Sequence, residues 1–539
     1  MARNLSRRTL LRVGGASALG LAALPLLDAC SSGSTTTSAA ASAKVKLPTY
    51  VPVNAVKPDL PGNAQGAMDA YFTYPANPKP AFSTPPAQGL GEVRIMYPTY
   101  NPIPPGMNSN SWWQELNREV GATLNFQFTT ASDYPTKFQT TIAGSDLPDV
   151  MIIPSPVPDK PRLLSRVFED LTPYLSGDAV KQFPFLANMQ TASWKYTVSG
   201  GGIYTVPQPR AQAGNMLFAR SDILSEVGAN PSPASYQEFL EVMKAVTDPT
   251  QHRWAFSAPL RMVLHLQMML GAPNVWRNEN GKFIRDYTDE RTKQAIGLVT
   301  DMIKAGLFHP DAATARTNFT QTRDYFTSGQ VALHSDGYAA WDIFTGQIGD
   351  KLAGVAEPKY NGGGDAAHFA GDAAQATTAI RKGLGDDKTR KVLGVLNWLA
   401  APIGTREHLV RKYGIEGKHF TFQNGIPQPT PQGTAEKIDV QYITDAPTIL
   451  GPGPRDLVTR QHDWHVRITR NLVANDAVGL YSDTDNNKGA QLKKLMEDAM
   501  SDIFFGRKPL SAWDDAVTQW RSQGGDKSAQ EFAEAAGKA

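Results

Sequence analysis

Regular alternation of apolar and polar positions begins at Glu92, where Val93-Arg94-Ile95-Met96-Tyr97 reads as a strand that Pro98 stops. A loop over 99–110 leads into a helix capped near Ser111, with Trp112, Trp113, Leu116 and Val120 at helical spacing. Thr123 to Phe128 gives a second strand, 133–142 a helix, and Val150-Met151-Ile152-Ile153 a third strand. Strand, helix, strand, helix, strand predicts an α/β fold with a parallel sheet. Farther on, the pattern predicts a strand at Trp254–Ser257, a Met-rich helix over 260–270, a hairpin over 276–285 turning at Asn280-Gly281, and an amphipathic helix over 291–305. Helices are also expected over 389–400, 492–505 and 513–521.

Residues 323–341 break this regularity in an informative way. Tyr325 and Phe326 end a helical run, Ser328-Gly329 interrupt it, and Val331-Ala332-Leu333 form a short apolar strand. Polar His334-Ser335-Asp336, then Gly337, then Tyr338 and Trp341 follow at once. Open α/β sheets bind ligands outside the carboxyl ends of their strands, so this stretch predicts a cleft. Gly200-Gly201-Gly202, just before another short strand, suit either a chain crossing between two lobes or a plain surface turn.

Length and composition narrow the class. A chain of 539 residues exceeds one ordinary domain, and 41% apolar with 19% charged residues fits a water-soluble globular body. The formal charge of +2 owes much to the first 29 residues, where Arg3, Arg7, Arg8 and Arg12 stand against Asp28. The remainder is about −1, which offers no basic field for nucleic acid. Ser6-Arg7-Arg8-Thr9-Leu10-Leu11 reads as a twin-arginine export motif, and the apolar run 13–27 is shorter than the roughly 20 residues a spanning helix needs. Cys30, the single cysteine, directly follows Ala29; the position resembles a bacterial lipobox, which implies lipidation there, with a secreted and unlipidated protein as the alternative. Residues 31–48 are Ser-, Thr- and Ala-rich and read as a tether. The Pro-rich stretch 48–86 is either an extended arm laid on the body or a spacer without one conformation.

Several phrases carry a family resemblance. Phe326, Gly329, Ala332 and Leu333 follow an F-x-x-G-x-x-A-[ML] pattern. Pro148-Asp149-Val150 precede the third strand. Arg220-Ser221-Asp222-Ile223-Leu224 is followed by a proline turn and a helix containing Glu238-Phe239. Tyr413-Gly414-Ile415-Glu416-Gly417 and the closing Gly506 to Trp513 complete the set. Together they resemble the extracellular solute-binding proteins of family 1, in particular the oligosaccharide-binding lipoprotein branch, over roughly 92–535. The resemblance implies a two-lobed fold of the periplasmic-binding type II kind, with two mixed or parallel sheets flanked by helices and a hinge of about three crossings. The division expected is 1–29 signal peptide, 30–91 tether and arm, 92–206 with 335–378 as lobe one, and 207–334 with 379–539 as lobe two. It further implies an extracytoplasmic lipoprotein, monomeric and without cofactor. Such a protein would bind a sugar or oligosaccharide by hinge closure and deliver it to the permease subunits of an ABC importer. A secreted carbohydrate-active enzyme and a peptide-binding or scaffold protein are the alternatives.

Sugar sites combine flat aromatic platforms with polar side chains, so aromatics at strand-to-loop junctions are the expected ligand contacts. These are Tyr97, Tyr100, Trp112, Trp254, Trp276, Tyr338 and Trp341, with Arg210 and Asp336 as polar partners; Trp113 is expected to face the core. Catalytic signatures are missing: no G-x-S-x-G, H-E-x-x-H, P-loop or C-x-x-C occurs. His462 and His465, three apart, read as part of an exposed polar helix rather than a metal pair. Asp483 to Gly489 reads as a solvated turn rather than a calcium loop, because Lys494 stands where the loop requires Glu.

Overall fold

The computed structural model describes residues 45–53, 55–314 and 319–537. The export motif, Cys30 and most of the expected tether lie outside them. The chain first lays down β1 (Glu92–Thr99), α1 (Ser111–Val120), β2 (Thr123–Thr130), β3 (Val150–Ile153), α2 (Lys160–Val167) and β4 (Thr205–Pro209). A second body follows, with β5 (Asn215–Arg220), α3 (Pro259–Leu270), β6 (Leu333–Gly337), α4 (Ala340–Ile348) and β7 (Leu352–Val355). The chain returns to the first body with β8 (Ala374–Ile380) and α5 (Arg406–Tyr413). It closes in the second with α6 (Arg455–Thr469) and α7 (Asp483–Phe504). Among the described residues no helix is long and apolar enough to cross a membrane.

The first sheet has the order β2-β1-β3-β8-β4; β1 runs parallel to β2 and β3, and β8 runs antiparallel to β3 and β4. Because β1 has neighbours on both edges and helices on both faces, Val93, Ile95, Met96 and Tyr97 are all buried, and the sequence alternation does not become a wet face. Asn110, one residue earlier than the expected cap, accepts the Trp113 amide at 2.9 Å and starts α1; Gly121, at φ 74°, ends it. The second sheet, β6-β5-β7, is wholly antiparallel.

Strand pairing divides the chain differently from the expected 335–378 and 379–539 boundaries. Leu333–Gly337 and Leu352–Val355 both pair with β5, so the stretch 323–341 lies inside lobe two, and no crossing occurs there. Leu393, Leu396, Trp398 and Val410 bury against the first sheet, so the segment through Ile443 belongs to lobe one. The sheet that each segment completes is set by residues far away in the chain. The chain passes between lobes at 210–214, 370–373 and 444–450. The Gly200–Gly202 stretch is instead part of a small hairpin within lobe one.

The Pro-rich arm is folded onto the body. Val51 donates its amide to Ala187 at 2.8 Å in lobe one, while Met68, Ala70 and Phe72 join a core cluster with Phe218, Trp341 and Trp464 in lobe two. The amides of Ala81 and Phe82 end on the Glu407 carboxylate at 2.9–3.1 Å. The hairpin of Trp276–Glu279 with Lys282–Arg285 forms as expected. Two local expectations are corrected. Asp483–Gly489 is the start of α7, with Ser482 accepting the Asp485 amide as its cap, because the cap and two acidic residues in the first turn favour helix over turn. His462 and His465 are buried, since α6 packs one face on the arm and on Tyr338.

Candidate functional site: the cleft between the lobes

The carboxyl ends of β1, β3 and β4 share one edge of the first sheet with the amino end of β8. In the second sheet Gly337 stands opposite Asn215 and Val355 opposite Leu217, so the ends of β6 and β7 share an edge with the start of β5. The short passage from β4 to β5 joins these two edges and sets them face to face, which is where an α/β sheet offers its ligand crevice.

A cavity of about 640 Å³ lies between the lobes, within the range of about 300–1,000 Å³ usual for small-molecule sites. Lobe one contributes Lys160 at the start of α2 and Tyr196, and lobe two contributes Trp276, Arg285 and Tyr481, with Asp372 of the second passage beside them. Tyr196 donates its hydroxyl to Asp372 at 2.9 Å. The Arg285 guanidinium lies 5.3 Å from the Trp276 ring and 4.5 Å from that of Tyr287, with its Nε 2.8 Å from Asp286. Asn486 donates to the Val157 carbonyl at 2.8 Å and ties the lobes directly.

A second cavity of about 650 Å³ opens beyond β1, lined by Asn101, Ile103, Trp112, Lys412, Tyr413 and Gln441 of lobe one. A third cavity, of about 390 Å³, lies where the arm crosses the passages and includes Arg210.

The nine residues expected to touch ligand fall into three groups. Trp276 and Trp112 line the two larger cavities, each only 2% exposed, and the Trp112 indole N–H donates to the Val410 carbonyl at 2.9 Å. Tyr100 is 58% exposed beyond β1, its ring 4.7 Å from that of Tyr442, and Arg210 is exposed at the first passage, 3.3 Å from where a Cβ on Gly337 would lie. The others sit elsewhere. Tyr97 is in the lobe-one core against Phe126 and Phe128, and half-buried Trp254 packs edge-on against His309 at 4.8 Å. Tyr338 stacks on Trp464 at 5.9 Å, and Trp341 packs on Phe218 and Trp464. Asp336 is ion-paired with Arg323 at 2.7 Å; burial would raise its carboxyl, yet His334 and Arg323 hold it far below the usual range. Lys160, Tyr196 and Tyr481 were not foreseen. The one signal for Lys160 was its place just after a buried strand.

A buried chain of hydrogen bonds in lobe two bears on catalysis. His265 Nε2 lies 2.8 Å from the Ser335 hydroxyl, and its Nδ1 lies 2.6 Å from Glu357. Glu357 also lies 3.4 Å from His368, whose Nε2 donates to the Ala213 carbonyl at 2.6 Å. The residue types match a hydrolytic triad, but Ser335 is 2% exposed and none of the three cavities reaches it, so the arrangement ties β6, α3 and the passages together.

Residues 105–405, more than half of the chain, match the family model described as bacterial extracellular solute-binding protein. The chain belongs to that family. Among relatives of this solute-binding protein, lipoprotein LipO of Bacillus subtilis is 23% identical over 480 residues, spanning 81% of this chain and 90% of its own. The polygalacturonan/rhamnogalacturonan-binding protein YtcQ of Bacillus subtilis is 21% identical over 456 residues, spanning 78% and 87%. The N-glycan transport solute-binding protein NgtS of Streptococcus pneumoniae superposes with a TM-score of 0.62 at 15% identity, covering 83% of this chain and 99% of its own. At that identity the likeness is one of fold, and it places the two lobes in the periplasmic-binding class.

Proposed function

We propose that this solute-binding protein captures an oligosaccharide between its lobes and presents the closed form to an ABC importer, from a lipid anchor at Cys30 outside the cytoplasmic membrane. The observation that carries the reading is the cavity of about 640 Å³ walled by both lobes. A ligand there gains contacts in the closed state that the open state lacks, and this differential affinity is what drives closure. The Trp276, Tyr196 and Tyr481 rings beside charged and hydroxyl groups suit a sugar, which offers C–H faces and a rim of hydroxyls. Relatives named for glycan binding support the same class.

A thermal-shift screen of the purified chain over oligosaccharides and peptides tests this. A ligand at 100 times its dissociation constant adds about 2.7 kcal/mol of stability. Raised melting with a sugar, without turnover of that sugar, is expected; raised melting with peptides alone refutes the carbohydrate class. Replacing Cys30 with Ala should release the protein from membranes, and a variant that stays bound refutes the anchor.

A further inference from the structure

The inter-lobe cavity holds a cation that has no partner among the described residues. Lys160 stands at the first turn of α2, just beyond the carboxyl end of β3, and lines the cavity from lobe one. Two carboxylates, Asp372 and Asp485, and the Arg285 guanidinium also line the cavity. Asp372 accepts the Tyr196 hydroxyl and Arg285 lies against Asp286, while burial raises the Asp485 carboxyl with the Arg285 charge opposing. Among the described residues no hydrogen-bond acceptor or carboxylate meets the Lys160 ammonium. Burial depresses its affinity for the proton, and no neighbouring charge offsets that cost. Lys195, exposed on the same wall, adds a further positive charge. Lys160 is half-buried, and a partly desolvated ammonium gains when an anion pairs with it.

We propose that the group entering the cavity at Lys160 is a singly charged anion on a sugar ring, a uronate carboxylate or a sulfate ester, so that the ligand is an acidic oligosaccharide. This rests on the carbohydrate reading above and adds the charge class. Lys160 acts as the specificity-determining contact, an ammonium donating to the anion while Trp276 and Tyr481 supply apolar wall.

Titration calorimetry on the full chain tests the assignment with three ligands of equal length: an oligogalacturonate, a sulfated galactan fragment and a neutral galacto-oligosaccharide. One acidic ligand should bind about tenfold or more tightly than the neutral one, with affinity falling as salt rises. Which acidic ligand wins identifies the anion. Lys160→Met should remove that preference and Lys160→Arg should keep it, with the ligand-free melting temperature of each variant monitoring the fold. Equal or tighter binding of the neutral ligand overturns the anionic assignment and leaves the carbohydrate reading standing. So does unchanged acidic affinity in Lys160→Met. Failure of all three sugars, with a peptide raising the melting temperature, overturns both.

Discussion

Trp341 and Tyr338 show how far a single residue's meaning depends on its surroundings. Both follow a crevice-type strand, and both close a core: Trp341 is 3% exposed, with its ring 5.8 Å from Phe218. Trp341→Ala should cost about 3–5 kcal/mol, because the lost transfer energy adds to the cavity left among Phe218, Tyr338 and Trp464. Urea denaturation would read this as a lowered midpoint. A loss below about 1 kcal/mol would mean that the indole is not packed as described. Replacing Tyr338 and Trp341 together therefore tests the stability of lobe two, whereas Lys160 and Tyr481 are the positions that report on ligand. An aromatic at a strand end looks the same in sequence whether it faces solvent, ligand or a helix from 120 residues away, as Trp464 does to Trp341.

At the scale of elements, the passages between lobes are held by close backbone packing. A Cβ on Gly371 would lie 2.5 Å from the Gly214 Cα and 2.8 Å from its nitrogen, so the first and second passages touch where both residues lack side chains. Gly371→Ala should push them apart and cost about 1–3 kcal/mol. Gly346→Ala is the matched comparison: it lies within α4 with nothing within 4 Å of an added Cβ, and should be neutral or gain about 0.5–1 kcal/mol. Calorimetric melting of the two variants checks the contrast, and equal shifts would refute the packing argument. The elements themselves were legible because their signals are local. The β1–α1–β2–β3 run and the Trp276–Arg285 hairpin follow from periodicity, a cap and a turn pair. The allegiance of β6 and β7 was not, since antiparallel pairing with β5 brings together residues more than 100 positions apart.

For the whole molecule, buried titratable groups make stability depend on acid. Burial would raise Glu357, but hydrogen bonds and charge from His265 and His368 bring it down to about 2, below its ordinary 4.5. Burial pushes His465 down to about 3 from 6.5, with His462 and His368 adding to the shift. In both cases the folded group binds its proton less readily than the unfolded one. Each contribution is therefore fully present above the unfolded value and is lost as pH falls through the folded one. The His465 share begins to fade below about pH 6.5 and that of Glu357 below about 4.5, both ending near 2–3. The urea midpoint should fall steadily from pH 7 to pH 3. A Glu357→Gln variant should start lower at pH 7 and fall less between pH 4.5 and 3. A flat profile for the parent chain would refute the linkage.

Local chemistry in the chain determined what most segments would become and, through the Pro148-Asp149-Val150, Tyr413 to Gly417 and 326–333 phrases, which family it joins. Those properties are written in neighbours a few residues apart, where periodicity, caps and turns act. Tertiary structure alone decided which lobe each returning segment completes, that the 323–341 stretch is core rather than hinge, and that Lys160 stands in the cleft without a counter-ion among the described residues. Burial and charge pairing depend on what covers a side chain from the far side, and that partner is chosen only when distant faces close on one another.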